Sequence, residues 1–298
     1  MCRLYEEDEW VTHQSNTYTS RGTRPFPVLY NLWSDSIITK TVFQMRPPER
    51  DAGSERIAMP ETVKRGYIPT DEKEFGPQLG KLRAAGADLY YLVNRGYPIK
   101  SASVFVGNHY RLSERQRMAL VRGVSPDERI KDRKRKEKAH LEPGSAVSID
   151  CFNTVISLEI AFSGSTLLLC MDGTVRDLAG LRGTYRLIDK TDAAVLAIRR
   201  VLEAEQVREA CFLLDAPVSN SGRLKGRIAD LFTGSAVQTS FEVVSDVDKL
   251  LYDRENVVTS DAIILDRCRS WFNLVRRAID LELGGYPYVV MEKPTEKG

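Results

Sequence analysis

Several common sequence features are missing from this 298-residue chain. Its five cysteines form no CxxC pair, which is typical of a reduced cytoplasmic protein. The longest apolar stretch, residues 146–162, is interrupted by Asp150, Asn153 and Glu159, so no run reaches transmembrane length. Residues 1–10 are acidic and lack an apolar core, which argues against a secretory signal.

The chain also lacks a large excess of charge of one sign, because its formal net charge is only +2. The composition as a whole therefore gives no signal for nucleic acid, although local clusters of positive charge still could. No Walker loop and no GxGxxG motif follows a strand-like run, so nothing supports a nucleotide cofactor.

Pattern and composition divide the chain into four segments. Residues 1–58 show no helical or strand periodicity and predict a disordered extension. Residues 59–126 predict a helical domain, and residues 143–298 an α/β domain. Between them, residues 127–142 predict a charged linker or a solvated helix, since Asp127–His140 holds seven Lys/Arg against four Asp/Glu.

Periodicity predicts the main elements of both domains. Apolar residues spaced by three and four predict a helix from Gln78 to Arg95, and Ser113 with Gln116 matches a capping box at the start of another helix. In the second half, strand-like runs alternate with helical segments such as Thr191–Glu205 and Arg269–Leu283. This alternation predicts a three-layer α/β fold with a mostly parallel sheet. The runs are Ala146–Asp150, Thr166–Met171, Ala210–Asp215, Thr239–Val244, Asn256–Thr259 and Tyr288–Met291.

Three of the apolar runs end in an aspartate: Asp150, Asp215 and Asp261. Open parallel sheets bind ligands beyond the carboxyl ends of their strands, so the three carboxylates are expected to converge there. Each of them alone could equally be a helix cap. If the carboxylates converge, any two of them about 4 Å apart repel by roughly 4 kcal/mol at an effective dielectric near 20. Only a bound proton or cation removes this repulsion.

The donor types indicate which cation would fit. The three histidines (His13, His109 and His140) lie outside the α/β segment. A carboxylate site without histidine favours Mg²⁺ or Mn²⁺ over Zn²⁺. Such ions activate water and stabilise charge on a phosphate, so hydrolysis of a phosphodiester is the expected chemistry.

Small polar side chains follow two of these acids and are candidates for orienting a phosphate. Asn153 follows Asp150, and a polar segment after Asp215 precedes a helix whose N-terminus could hold an anion. The candidates in that segment are Ser219, Asn220, Ser221 and Arg223.

Two long motif sets, from about Leu82 to Met291, resemble a two-part prokaryotic family, domain of unknown function 434 followed by a PIN-like C-terminal domain. The first set is Asp88, Leu92-Val93-Asn94-Arg95-Gly96-Tyr97-Pro98, Val106-Gly107-Asn108, Tyr110-Arg111-Leu112 and Arg115-Gln116-Arg117. The second is Ile149-Asp150, Asn153, Asp172-Gly173, Arg176-Asp177, the segment from Leu214 to Leu224, Thr259-Ser260-Asp261 and Ile264-Leu265-Asp266.

The resemblance implies a PIN-like fold in which strand-end acids bind a divalent metal. It adds Asp177 and Asp266 to the expected acidic site and favours a Mg²⁺- or Mn²⁺-dependent ribonuclease, a hydrolase that acts in the cytoplasm. The rival hypothesis keeps the fold without catalysis, leaving an RNA- or protein-binding module. Cys151 stands where a small residue is expected in the family pattern.

One further motif favours a different enzyme class. Residues 167–174, Leu-Leu-Leu-Cys-Met-Asp-Gly-Thr, resemble the first motif of haloacid-dehalogenase-like phosphatases. Cys170 occupies the position of the nucleophilic aspartate, and without that aspartate the covalent route fails. Asp172-Gly173 is also a common hairpin turn.

The helical segment combines arginines with aromatic residues, as RNA-binding surfaces do. Aromatic rings can stack on bases while arginines contact phosphates. Packing in a helical core or on a solvated face explains the same residues nearly as well. The predicted RNA-binding residues are Arg95, Tyr97, Tyr110, Arg115 and Arg117.

Overall fold

The computed structural model describes residues 63–180 and 183–294. The predicted extension at residues 1–58 lies outside them. By their contacts, the described residues form one unit. Within the described ranges, no helix combines the length and the apolar character needed to cross a membrane.

Helices dominate the first part of this unit, and helices and strands alternate after it. The first elements are α1 (Asp71–Phe75), α2 (Leu79–Asn94), α3 (Ile99–His109), α4 (Glu114–Gly123), α5 (Asp127–Lys136) and β1 (Glu137–Lys138). They are followed by β2 (Ala146–Asp150), α6 (Cys151–Phe162), β3 (Leu167–Leu169), β4 (Val175–Asp177), α7 (Thr191–Ala204), β5 (Glu209–Asp215) and α8 (Ser221–Leu231). The last are β6 (Gln238–Val244), α9 (Val247–Leu251), β7 (Val257–Val258), α10 (Ala262–Arg267), β8 (Trp271–Phe272), α11 (Leu274–Leu283) and β9 (Val289–Val290).

Two sheets organise the strands. Six strands form the main sheet in the order β1-β8-β7-β2-β5-β6, and each pairing in it is parallel. Three strands form a smaller sheet in the order β4-β3-β9, in which β3 and β4 are antiparallel and β3 and β9 parallel. The expected mixed α/β fold with a mostly parallel sheet is confirmed.

The central strands β2, β5 and β7 of the main sheet are largely buried on both faces, which explains why they are nearly continuous apolar runs. In β5, Phe212 and Leu214 face the larger core, which includes residues of α6, α7 and α11. Leu213 points to the opposite face, where it packs in a second core with Val257 and Trp271 and with residues of α9 and α10. Successive side chains of a strand alternate between faces, so both cores are needed.

The helices α1 to α4 share a hydrophobic core with the smaller sheet. Leu82, Leu89 and Leu120 share one hydrophobic core with Leu168 of β3 and Val289 of β9. The helical part and the small sheet therefore bury each other's apolar surface. The predicted domain boundaries at residues 59–126 and 143–298 stay predictions.

One local signal placed a helix start correctly. The capping box at α4 is confirmed, since the Ser113 hydroxyl accepts from the Gln116 amide and the Gln116 side chain accepts from the Ser113 amide, both at 3.2 Å. Most of the charged segment at residues 127–142 is the helix α5. That helix is not wholly solvated, because Ile130 and Arg133 are buried.

Candidate functional site: an acidic cavity at the strand ends

The carboxyl ends of the central strands open into a cavity of about 740 Å³. The chain passes from β2 to β5 on one side of the sheet and later returns to β7 on the other side of β2. Such a reversal of strand order leaves a crevice, where open parallel sheets bind ligands. Asp150 ends β2, Asp215 ends β5 and Asp261 follows β7, and all three line the cavity.

Asp150 lies at the floor of this cavity with only 7% of its surface exposed. It occupies the N-cap position of α6, but its side chain makes no capping hydrogen bond. Its carboxylate accepts instead from the Thr259 hydroxyl at 2.8 Å. Burial raises the pKa of Asp150 to about 7, and repulsion from Asp215, Asp261 and Asp248 adds to the shift although Thr259 opposes it.

Asp261 combines two roles. One of its carboxylate oxygens caps α10, accepting from the amides of Ile263 at 2.7 Å and Ile264 at 3.2 Å. The same side chain lies close enough to Asp150 and Asp248 to raise the pKa of each. The helix-cap interpretation of the strand-end aspartates is therefore right for Asp261 and wrong for Asp150.

Asp215 and Asp248 complete a group of four carboxylates, which we call the acid cluster: Asp150, Asp215, Asp248 and Asp261. Burial raises the pKa of Asp215, and it also raises the pKa of Asp248, assisted there by Asp261 and Asp215. Among the described residues, no lysine or arginine is a cause of the pKa shift of Asp150, Asp215 or Asp248. A group of like charges without counter-charge is costly unless a proton or cation joins it.

Sequence analysis missed Asp248. A signal was present, since Asp248 follows the end of β6 by four positions, and this strand had been predicted at Thr239–Val244. It was overlooked because a polar turn separates the acid from the strand and the acid itself lies within the short helix α9, so no apolar run ends in it directly.

Asp177 and Asp266 line the same cavity as the acid cluster, but arginines pair with both. Arg122 lies 3.3 Å from Asp177, and Arg133 lies 2.7 Å from Asp266. The structure therefore brings all five predicted acids to one cavity. Two of them form ion pairs with arginines, and among the described residues the other three do not. Their catalytic and metal-binding roles stay predictions. Within residues 63–180 and 183–294, no group of three or more His, Cys, Asp or Glu side chains is arranged to hold a metal ion.

The predicted phosphate-orienting residues have other partners. Asn153 lines the cavity, but its side-chain oxygen accepts from the amide and hydroxyl of Ser260, both at 2.9 Å, and so holds the loop before Asp261. Ser219 and Asn220 hydrogen-bond to the backbone of Tyr185. The Ser221 hydroxyl donates to carbonyls of its own turn, and Arg223 is exposed on α8.

These four residues after Asp215 are not among those that line the cavity. Their polarity serves the turn between β5 and α8, where Asn220 adopts a positive φ of 63°. Asparagine tolerates this left-handed conformation better than most residues. A role in phosphate binding stays a prediction for them.

The predicted RNA-binding residues also separate into two groups. Arg115 binds Asp71 through two hydrogen bonds, and Arg117 binds the Leu112 carbonyl and the Asn108 side chain, so both stabilise the helical part itself. The Tyr110 hydroxyl donates to Asp88 at 2.8 Å.

Arg95 and Tyr97 remain exposed. The Arg95 guanidinium lies over the ring of Tyr91, and Tyr97 is 57% exposed and lines the cavity. Tyr97 is therefore the predicted RNA-binding residue that lines the same cavity as the acid cluster.

A buried ion-pair network lies next to the cavity, and we call it the arginine network: Arg133, Arg176, Asp172 and Asp266. Asp172 is 2% exposed and accepts from Arg133 at 2.7 Å and from Arg176 at 2.6 Å. Burial alone would raise its pKa, but Arg176, Thr174 and Arg133 lower it to about 2.

The arginine network also holds the loop that carries Asp261. Arg176 donates to the Ser260 carbonyl at 2.7 Å, and Arg133 donates to the Ala262 carbonyl at 3.3 Å. These bonds fix the backbone on both sides of Asp261.

The phosphatase-like motif falls on the turn of the small sheet. Gly173 has a φ of +85°, as tight turns between antiparallel strands often require. Cys170 is buried, and burial raises the pKa of its thiol to about 11. Asp172 is held between the two arginines, so the motif serves packing and ion pairing here.

Comparisons with known proteins assign most of the chain. Residues 81–136 match the model of a protein of unknown function, DUF434, and residues 140–277 match a domain of unknown function, DUF5616. An uncharacterized protein of Methanocaldococcus jannaschii is 33% identical over 202 residues, which are 67% of this chain and 97% of that protein. No solved structure gives a significant match. The chain belongs to the family of this Methanocaldococcus jannaschii protein, with a DUF434 segment followed by a DUF5616 domain.

Proposed function

We propose that the protein is a Mg²⁺- or Mn²⁺-dependent ribonuclease with a PIN-like α/β part, and that the acid cluster is its metal site. The observation that carries the proposal is the state of Asp150. This carboxylate is buried, contacts no cation among the described residues and has a pKa raised to about 7 by burial and by three neighbouring acids. Strained acids of this kind, in a cleft at the strand ends, are typical of functional sites.

The chemistry of the donors supports a hard divalent cation. The acid cluster offers carboxylate oxygens, and the cavity-lining residues include no histidine or cysteine. Mg²⁺ and Mn²⁺ prefer such oxygen ligands. A bound ion of this kind supplies an activated water and neutralises charge on the phosphate that is attacked.

The protein's own residues prepare the site. Thr259 orients Asp150, and Asn153 with Arg176 fixes the loop that carries Asp261. Fixed ligands lose less freedom when they bind, which favours a preorganised site. We place the activity in the cytoplasm, since the described cysteines Cys151, Cys170, Cys211 and Cys268 are all free thiols.

The alternative is a PIN-like module that binds RNA or protein without catalysis. One observation favours it, since no three candidate ligands among the described residues are arranged to hold an ion. Metal binding would require the carboxylates to close around the ion. The two hypotheses differ in whether a divalent cation changes the protein's stability.

Thermal unfolding with and without Mn²⁺ or Mg²⁺ separates the two hypotheses. A ligand that binds only the folded state raises its stability by mass action, about 2.7 kcal/mol at a concentration one hundred times Kd. We expect the metal to raise the Tm of the wild type and to leave that of Asp150→Asn nearly unchanged. Asp230→Asn, an exposed aspartate on α8, is the matched control and should respond as the wild type does.

The same variants are then incubated with a fluorescently labelled single-stranded RNA and Mn²⁺. Cleavage by the wild type and by Asp230→Asn, but not by Asp150→Asn, is the expected result. If the metal raises no Tm and the RNA stays intact, the ribonuclease proposal fails and the binding module remains.

A further inference from the structure

The helical part contributes one side of the acidic cavity, and it brings positive charge there. Tyr97, Arg122 and Arg129 line the cavity together with the acid cluster. All three belong to the segment that precedes the main sheet, with Arg122 on α4 and Arg129 on α5. The helical part therefore adds positive charge to a cavity whose acid cluster comes from the main sheet and the segments that follow its strands.

The arginine network next to the cavity is electrically complete without Arg129. Arg133 and Arg176 carry two positive charges, and Asp172 and Asp266 carry two negative charges. Arg129 lies 3.7 Å from one oxygen of Asp266, but Arg133 already binds the other oxygen at 2.7 Å. Arg129 is a surplus cation beside a neutral network.

Arg122 and Arg129 differ in how much of their charge is available. Arg122 hydrogen-bonds to the backbone and side chain of Asp177, and a third of its side chain is exposed. Arg129 makes no hydrogen bond to the described residues that meets the usual distance, and 54% of its side chain is exposed. Arg129 therefore presents an open guanidinium fork to the cavity.

We propose that Arg129 binds a phosphate group of a single-stranded RNA substrate and that Tyr97 stacks on a base of the same strand. This inference rests on the proposed function. A guanidinium binds a phosphate through paired charge-assisted hydrogen bonds. The surplus charge also offsets the repulsion that the acid cluster exerts on a phosphate.

The exposed ring of Tyr97 determines whether single-stranded or duplex RNA can bind. A base can stack on an aromatic side chain only when it has left the stack of a duplex, so the two residues together select single-stranded RNA. Arg115 and Arg117 are already bound within the helical part and do not contribute to this surface.

The test measures binding separately from cleavage. A labelled single-stranded RNA is titrated with the full-length protein in EDTA, and fluorescence anisotropy gives Kd at several salt concentrations. Arg129→Ala should weaken binding about 10- to 100-fold, the range for a lost charged hydrogen bond. The slope of log K against log salt should fall by about 0.7, the value for one phosphate contact on a single strand.

Three variants control for charge and structure. Arg129→Lys should keep the slope and lose part of the affinity, because a lysine retains the charge without the fork. Arg208→Ala removes an exposed arginine at the amino end of β5, away from the cavity, and should change neither quantity. Tyr97→Ala should weaken binding about tenfold at an unchanged slope, while Tyr97→Phe should bind as the wild type does.

The outcomes separate this inference from the proposed function. Binding that depends on Arg129 and Tyr97 without any cleavage supports the inference and sinks the ribonuclease proposal. Cleavage and binding that do not change in Arg129→Ala overturn the inference alone. Equal affinity for a duplex of the same sequence, or no binding by the wild type, also overturns it.

Discussion

Asp150 and Asp172 are both buried aspartates near one cavity, and their surroundings shift their pKa values in opposite directions. Asp150 is 7% exposed and Asp172 is 2% exposed, so burial alone does not separate them. The pKa of Asp150 is raised to about 7, whereas that of Asp172 is lowered to about 2. The difference lies in their neighbours, which are carboxylates for Asp150 and arginines for Asp172.

This contrast separates structural from functional charge. The arginine network is satisfied within the protein and holds the helical part, the small sheet and α10 together. The acid cluster accepts hydrogen bonds from Thr259 and from the amides of α10 but has no ion-pair partner among the described residues, so it weakens the fold when it is ionised. Proteins keep such unfavourable groups where a ligand completes them.

The largest expected effect comes from removing the charge of Asp172. Asp172→Asn removes the carboxylate that the buried side chains of Arg133 and Arg176 share. Breaking a buried ion pair in this way destabilises a protein by about 3–5 kcal/mol. Chemical denaturation at pH 7 should show this loss. Asp280→Asn, which breaks the exposed pair with Arg276, is the control and should lose less than about 1 kcal/mol.

The pH dependence of the same variant tests whether the ionised Asp172 carboxylate stabilises the protein. The lowered pKa of Asp172 stabilises the protein above its ordinary pKa of 3.8, and this contribution is lost as the pH falls through about 2. The deficit of Asp172→Asn should therefore shrink in acid. An equal deficit at pH 7 and pH 2 would show that the pair is not the cause.

A somewhat smaller effect of opposite sign is expected at Asp150. In EDTA at pH 8, Asp150→Asn should raise the free energy of unfolding by up to about 4 kcal/mol, because the pKa shift from 3.8 to about 7 spans roughly three pH units that are each worth about 1.4 kcal/mol. The asparagine oxygen can still accept from Thr259. Denaturation curves at several pH values measure the difference.

The sign follows from the raised pKa. Below pH 3.8 Asp150 is protonated in both states, so the variant should gain nothing there, and the gain should grow until the pH exceeds about 7. Asp230→Asn should show no such trend. A variant that is less stable than the wild type at pH 8 would mean that the carboxylate has a stabilising partner.

Much of this arrangement was predictable from the sequence. Apolar runs that end in aspartate place their acids at the carboxyl edge of a parallel sheet, so Asp150, Asp215 and Asp261 were expected to converge. The start of α4 was predictable too, because a cap such as Ser113 is read from its nearest neighbours, whereas the helix predicted from Arg269 begins only at Leu274, after the strand β8.

The division into free and paired acids was not predictable. Arg133 and Asp172 are 39 positions apart, and Arg133 and Asp266 are 133 apart, so only the folded chain brings them together. For the same reason Arg115 resembled an RNA-binding residue, although Asp71, which lies 44 positions earlier, binds it. Residue type gives the chemistry of a side chain, and tertiary contacts decide whether that chemistry is already used.

The smallest effect on stability is expected at Asp261, which belongs to both sides of the comparison. Its carboxylate caps α10 and also contributes to the repulsion in the acid cluster. Asp261→Asn keeps an N-cap of similar strength and removes a charge, so the free energy of unfolding should change by less than about 0.5 kcal/mol. Asp261→Ala also loses the cap and should destabilise by about 1 kcal/mol.

The metal response distinguishes the two roles of Asp261. If it is a ligand as well as a cap, Asp261→Asn should lose most of the Mn²⁺-dependent rise in Tm while keeping the wild-type Tm in EDTA. A full Mn²⁺ response in Asp261→Asn would restrict this residue to the cap and leave Asp150, Asp215 and Asp248 as the candidate ligands. Because the Asp261→Asn variant is expected to fold as the wild type does, such a result reports on the metal site and not on a damaged helix.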